Sequence, residues 1–136
     1  MKKIVYTRIG GPESIDIISE KLEKTVENQV KVRVYRAGIN FADLMMRQGL
    51  YGSNPDFPFT PGYEVSGIIT EIGEDVDHLE IGDRVIAMTG FGGYAEEVIV
   101  SSNRIIPIPD NMSFEQAAAM PVTYGTAYHM LVHWEG

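Results

Sequence analysis

Residues 30–35 read Val30-Lys31-Val32-Arg33-Val34-Tyr35, a β-branched residue at every second position with long polar or amphipathic side chains between. In extended chain successive side chains point to opposite faces, so this alternation predicts a strand buried on one side only. Downstream, residues 65–72 are rich in β-branched side chains, residues 84–88 form a short apolar run, residues 95–100 end in Val98-Ile99-Val100, and residues 104–108 stop at Pro109. Each has the length and composition of a strand. The separators are turn-formers: Gly73-Glu74-Asp75, Gly82-Asp83 and Gly90-Phe91-Gly92-Gly93. Glycine reaches positive φ at low cost, and Asp side chains close turns on nearby backbone groups. Short strands punctuated in this way predict a mainly β fold with short helices, laid out as a barrel or sandwich.

Two regions depart from the strand pattern. Residues 40–48 read as one short helix, with Asn40 as its N-cap, Asp43 near its positive end, Gly49 as terminator and Phe41, Leu44 and Met45 as apolar positions. Ser113-Phe114-Glu115-Gln116 has the form of a capping box and opens the run Ala117-Ala118-Ala119, which should bend or stop near Pro121. Beyond it, Ala127, Met130, Leu131 and Trp134 carry amphipathic helical spacing over residues 126–134.

The chain of 136 residues is long enough for one domain with a core, and 44% apolar with 22% charged residues is ordinary for a folded protein. A formal net charge of -8 argues against a nucleic-acid partner, because such affinity comes mainly from clustered Lys and Arg. There is no cysteine, hence no disulfide, thiolate-held metal or Cys nucleophile. The opening Met1-Lys2-Lys3-Ile4-Val5-Tyr6 is interrupted at Arg8 and Gly10, too early for a signal-peptide core. No apolar run is long enough to form a transmembrane segment, so a cytoplasmic location is the default expectation.

Gly90-Phe91-Gly92-Gly93-Tyr94-Ala95 fits the G-x-G-x-x-[G/A] string of dinucleotide-binding turns. That turn must open a helix, whereas residues 94–100 read as extended, and no acidic ribose ligand follows at the required distance. The stretch is therefore expected to be a hairpin turn.

Three further pieces carry a family order: Ala37-Gly38-Ile39-Asn40-Phe41-Ala42-Asp43, then Arg47-Gln48-Gly49-Leu50-Tyr51, then Pro58-Phe59-Thr60-Pro61-Gly62-Tyr63-Glu64-Val65-Ser66-Gly67. They are followed by Gly82-Asp83-Arg84-Val85, Gly93-Tyr94-Ala95-Glu96-Glu97 and Phe114-Glu115-Gln116-Ala117-Ala118-Ala119. Together they resemble the N-terminal part of the medium-chain dehydrogenase/reductase superfamily, within the zinc-binding alcohol dehydrogenase group. Zinc members of that superfamily place Cys where this chain has Asn40 and His where it has Tyr63. An amide and a phenol are poor zinc donors, so no catalytic metal is expected. The resemblance points to the zinc-independent quinone oxidoreductase branch, with its Asn followed by Arg-x-Gly-x-Tyr; vesicle-transport-like proteins share the Asn-Phe-Ala-Asp-Leu-Met start.

The resemblance implies a GroES-like, partly open β-barrel over residues 1–136, the catalytic, substrate-side domain of a longer protein. A C-terminal Rossmann cofactor domain is expected after Gly136; it would hold most of the NADPH and form a homodimer, and without it this chain would be inactive. The implied reaction is hydride transfer from NADPH to a small quinone or enone, with enoyl-thioester reduction or a noncatalytic scaffold as alternatives.

Asn40 is implied to lie beside the nicotinamide and to hydrogen-bond the substrate carbonyl, its simpler reading being a helix cap. Tyr51 is implied to orient or polarise the carbonyl, or else to be an amphipathic rim residue. Met45 stands where many quinone reductases have a second tyrosine, which suggests a more apolar substrate pocket. Thr126 is implied to approach the nicotinamide end of the cofactor, or to serve as a helix N-terminal residue. Glu64 and Asp43 are expected to be structural, and His78, His129 and His133 to be surface residues.

Overall fold

The computed structural model describes residues 1–38, 47–48 and 56–118. Among the described residues seven strands follow in order: β1 (Lys2–Tyr6), β2 (Ile15–Ser19), β3 (Gln29–Ala37), β4 (Glu64–Ile72), β5 (Arg84–Met88), β6 (Glu97–Ser101) and β7 (Ile105–Pro107). Five form one antiparallel sheet in the order β6-β3-β4-β5-β7, and β1 pairs with β2 in a separate hairpin. The larger sheet ends at β6 and β7 without joining them, so it is curled but not closed. The fold is mainly β and GroES-like in arrangement, as expected.

The alternation in β3 marks the core. Val30 and Val32 are fully buried and pack with Val65, Ile69, Val85 and Val98 from the neighbouring strands, while Arg33 on the opposite face is exposed. The register of β3 against β4 slips between Lys31 and Val32 and again between Val34 and Arg36. Such bulges bend and twist the strand that carries them, which rolls the sheet around its apolar side.

In β4 the alternation disappears, because residues 64–67 are all buried. The second face of β4 and β5 is covered by residues 112–117: Ile86 packs with Ile108 and Ala117, Ser66 Oγ donates to Phe114 O at 2.6 Å, and the Arg84 guanidinium lies 4.7 Å from the Phe114 ring centre while donating to Met112 O. The capping box is formed as read: Gln116 N–H donates to Ser113 Oγ at 3.1 Å, Ser113 N–H donates to Gln116 Oε1 at 3.0 Å, and residues 114–118 are helical. Of the expected helices, residues 40–46 of the first and all of 126–134 lie outside the described residues; Arg47, at the end of the first, is helical.

The hairpin β1–β2 was not announced by any alternation. All five residues of β2 are exposed, so pairing with β1 makes it a strand, without burial. The β1 strand in turn holds the hairpin to the sheet, with Ile4 N–H donating to Tyr94 O and Tyr6 N–H to Phe59 O, both at 2.8 Å. On the hairpin's outer edge the Asp16 carboxylate accepts from Ile17 N–H at 2.8 Å, occupying a donor that an incoming strand would need.

Candidate functional site

Three stretches meet at one end of the sheet: the end of β3 at Ala37 and Gly38, residues 59–64 leading into β4, and residues 89–94 between β5 and β6. Gly38 N–H donates to Glu64 O at 3.0 Å, joining the first two. The third is zipped onto the second by bonds from Thr89 and Gly90 N–H to Tyr63 O at 2.8 and 3.3 Å, from Gly92 to Thr60 O at 2.8 Å, from Gly93 to Gly62 O at 3.1 Å and from Tyr94 to Pro61 O at 3.0 Å. Loop backbone bonded at this density has little freedom to shift.

The side chains here are mostly aromatic. Phe59 is buried, edge-on to Tyr6 at 5.7 Å and to Phe91 at 6.0 Å, and tilted against Phe57 at 5.2 Å. Tyr63, partly buried, tilts against Phe91 at 5.8 Å. Glu64 is 1% exposed, and its carboxylate fills the space behind Gly38, where an added methyl would lie 2.5 Å from Glu64 Oε1 and 2.7 Å from Ala118 O.

The glycine string 90–93 is not the expected hairpin turn: it bends and then crosses from β5 to β6, which lie on either side of β3 and β4 in the sheet, because β6 pairs with β3 and not with β5. Without a helix behind it, it cannot offer a helix N-terminus to a pyrophosphate, so the described residues do not fit the phosphate end of a dinucleotide. Among the described residues no three His, Cys, Asp or Glu side chains are grouped closely enough to hold a metal ion. His78 is an exposed residue beside Asp77.

Asn40, Met45, Tyr51 and Thr126, the residues singled out for substrate and cofactor, lie outside the described residues, as do Asp43, His129 and His133. Arg47, from the same motif as Tyr51, is described: its carbonyl accepts from Gly10 N–H at 2.9 Å and its buried Nε has no hydrogen-bond partner among the described residues. Near it the Glu13 carboxyl is held below its ordinary pKa, first by its own backbone N–H and that of Gly11, then by Arg8 and Arg47. Two residues of the site were not read from the sequence. Phe91 could have been noticed as an aromatic residue inside a glycine turn; Thr60 carried no signal.

Comparison with known proteins agrees with this geometry. The Danio rerio protein named Synaptic vesicle membrane protein VAT-1 homolog is 44% identical over 131 residues, which are 96% of this chain and 27% of that protein. Quinone oxidoreductase-like protein 2 of Bos taurus is 45% identical over 118 residues, 86% of this chain and 34% of its own length. The chain thus spans about a third of these relatives. The crystal structure of Escherichia coli quinone oxidoreductase complexed with NADPH superposes with a TM-score of 0.92 at 32% identity, over 99% of this chain and 42% of that one. The family described as alcohol dehydrogenase GroES-like domain matches residues 26–110. An open, curled antiparallel sheet with its strand-end loops gathered around Tyr63 and Glu64, together with that match, establishes that the chain belongs to the alcohol dehydrogenase GroES-like domain family.

Proposed function

We propose that this chain is the substrate-side domain of a reductase that passes hydride from NADPH to a quinone or enone without zinc. The observation that carries the reading is the cluster at the strand ends, in which Tyr63 stands among the rings of Phe57, Phe59 and Phe91 in a chain with no cysteine, beside relatives that include quinone oxidoreductases. Such a site offers hydrogen bonds and an apolar, water-poor surround, which suits chemistry performed by a bound cofactor. NADPH, when bound, supplies the hydride; a following Rossmann domain holds its phosphates and joins two copies into a homodimer.

In this reading Asn40 donates its amide N–H to the acceptor's carbonyl oxygen as negative charge grows there, and Tyr51 orients the same group. Met45 and Tyr51 border the ring of the substrate, and Thr126 approaches the nicotinamide. Gly38, two residues before Asn40, is bonded to Glu64, which supports a fixed entry into that segment.

The test uses a longer protein carrying this chain and the domain that follows it in its relatives. It should bind NADPH and reduce 9,10-phenanthrenequinone, whereas the 136-residue chain does neither. Asn40→Ala should lower kcat on the order of 100-fold, the usual cost of losing one donor to a developing oxyanion. If the longer protein binds no nicotinamide cofactor, the reductase reading fails and a noncatalytic scaffold takes its place; reduction of enoyl thioesters in preference to quinones would move the substrate class.

A further inference from the structure

The glycine string that fails as a dinucleotide turn does something else: it fixes a ring in the open. Gly90 and Gly92 have φ of 71° and 93°, so the residues on both sides of Phe91 take a backbone conformation that glycine alone adopts without strain. The five backbone bonds from residues 89–94 to residues 60–63 hold that turn in place. Behind Phe91 stand Phe59, edge-on, and Tyr63, tilted, yet Phe91 as a residue is 40% exposed. A large apolar side chain anchored on one side and open on the other presents a ready surface for stacking.

Beside it lies a hollow of about 210 Å³, with Phe91, Thr60, Thr89 and Gly92 in its wall and the Lys3–Glu20 ion pair, 2.6 Å long, at its border. Thr60 is 9% exposed and its buried hydroxyl has no hydrogen-bond partner among the described residues. The Thr89 hydroxyl is already committed to Gly62 O. Buried hydroxyls are nearly always paired, so Thr60 marks a place where an acceptor is missing. Lys3 is engaged by Glu20, and Glu97 also lines the hollow, so an anion is disfavoured and a neutral molecule is favoured.

We propose that this hollow binds the planar ring of a neutral aromatic carbonyl compound, a quinone of one or two rings, which stacks on Phe91 and accepts a hydrogen bond from Thr60 Oγ1. The inference rests on the reductase reading only for the class of ligand; the site itself is built from residues of this chain. It makes Phe91 and Thr60 specificity-determining residues that favour flat aromatic acceptors over flexible aliphatic ones.

The experiment titrates the 136-residue chain with 1,4-naphthoquinone while aromatic NMR resonances are followed; with no cysteine present, thiol addition to the quinone does not compete. Phe91 and its neighbours Phe59 and Tyr63 should shift saturably. Phe91→Leu should weaken binding about two- to tenfold, the range expected for losing one aromatic pair. Thr60→Val, nearly the same shape, should weaken naphthoquinone binding and leave binding of naphthalene, which has no carbonyl, unchanged. Both variants should keep the parent urea midpoint within error, which separates loss of the site from loss of the fold. Absence of shifts at Phe91, or unchanged affinity in both variants, overturns the proposal. In the longer protein, quinone turnover with KM unmoved by Phe91→Leu would sink this site and leave the reductase reading intact; ring binding without turnover would do the reverse.

Discussion

Gly38 shows how a single residue can be decided by its surroundings. Nothing in the sequence demands glycine there, since its conformation lies outside the positive-φ set. The requirement comes from Glu64 and Ala118, which close on the space a methyl would occupy to within 2.5 and 2.7 Å. Gly38→Ala should therefore destabilise the chain by about 1–3 kcal/mol, as overpacking of a tight site usually does. A lower urea midpoint checks it; an unchanged one would mean that the Glu64 carboxylate swings aside freely. Phe91 is the opposite case, where the identity of the residue is visible in the sequence but its exposure is not. Which rings stand behind it depends on residues 59–63, some thirty positions away in the chain.

The elements fall into two groups. The strands β3, β4 and β5 were legible because each buries at least one face, and burial imposes period-two patterning or a continuous apolar run. The capping box was legible because its two bonds span only three residues. Ser113→Ala removes the acceptor for Gln116 N–H and should cost about 1 kcal/mol by urea unfolding. Glu115→Gln, one turn position away, should cause no resolvable change, because its ion pair with Arg36 is more than half exposed on both sides. Equal losses in the two variants would show that the ion pair secures the helix as much as the cap does. The hairpin β1–β2 left no such trace: with β2 exposed throughout, its strand character comes from hydrogen bonds to β1, and hydrogen bonding of the backbone is the same for any residue type except proline.

For the molecule as a whole, acid is the informative perturbation. Glu71 is held below its ordinary 4.5 first by the Thr25 backbone N–H and then by Lys31; Glu115 is lowered first by its own backbone N–H, with a smaller contribution from Arg36; Glu13 is lowered as described above. Each group binds protons more weakly folded than unfolded. Its contribution to stability is complete above the unfolded value of 4.5 and is lost as pH falls through the lower folded value. The urea midpoint should hold from neutrality down to that region and then decline, and Glu71→Gln should make the decline shallower. An acid limb of the same steepness in that variant would assign the loss to other carboxylates. The net charge of -8 acts in the other direction, since protonation relieves self-repulsion, so the comparison between variants isolates the local bonds.

By itself the sequence determined the β class, the central strands, the cap at Ser113 and the family, because these depend on spacing within a few residues or on motifs in a set order; the hairpin expected at residues 90–93 failed, because which strands pair is not written in the turn between them. Tertiary structure alone decided the neighbours: that β6 lies beside β3, that residues 112–117 cover the second face of β4, that β2 is a strand at all, and that Thr60 and Phe91 share one hollow. Contacts between distant positions arise from how the sheet curls and where its loops converge, and a residue's place in the chain carries no record of what will be folded against it.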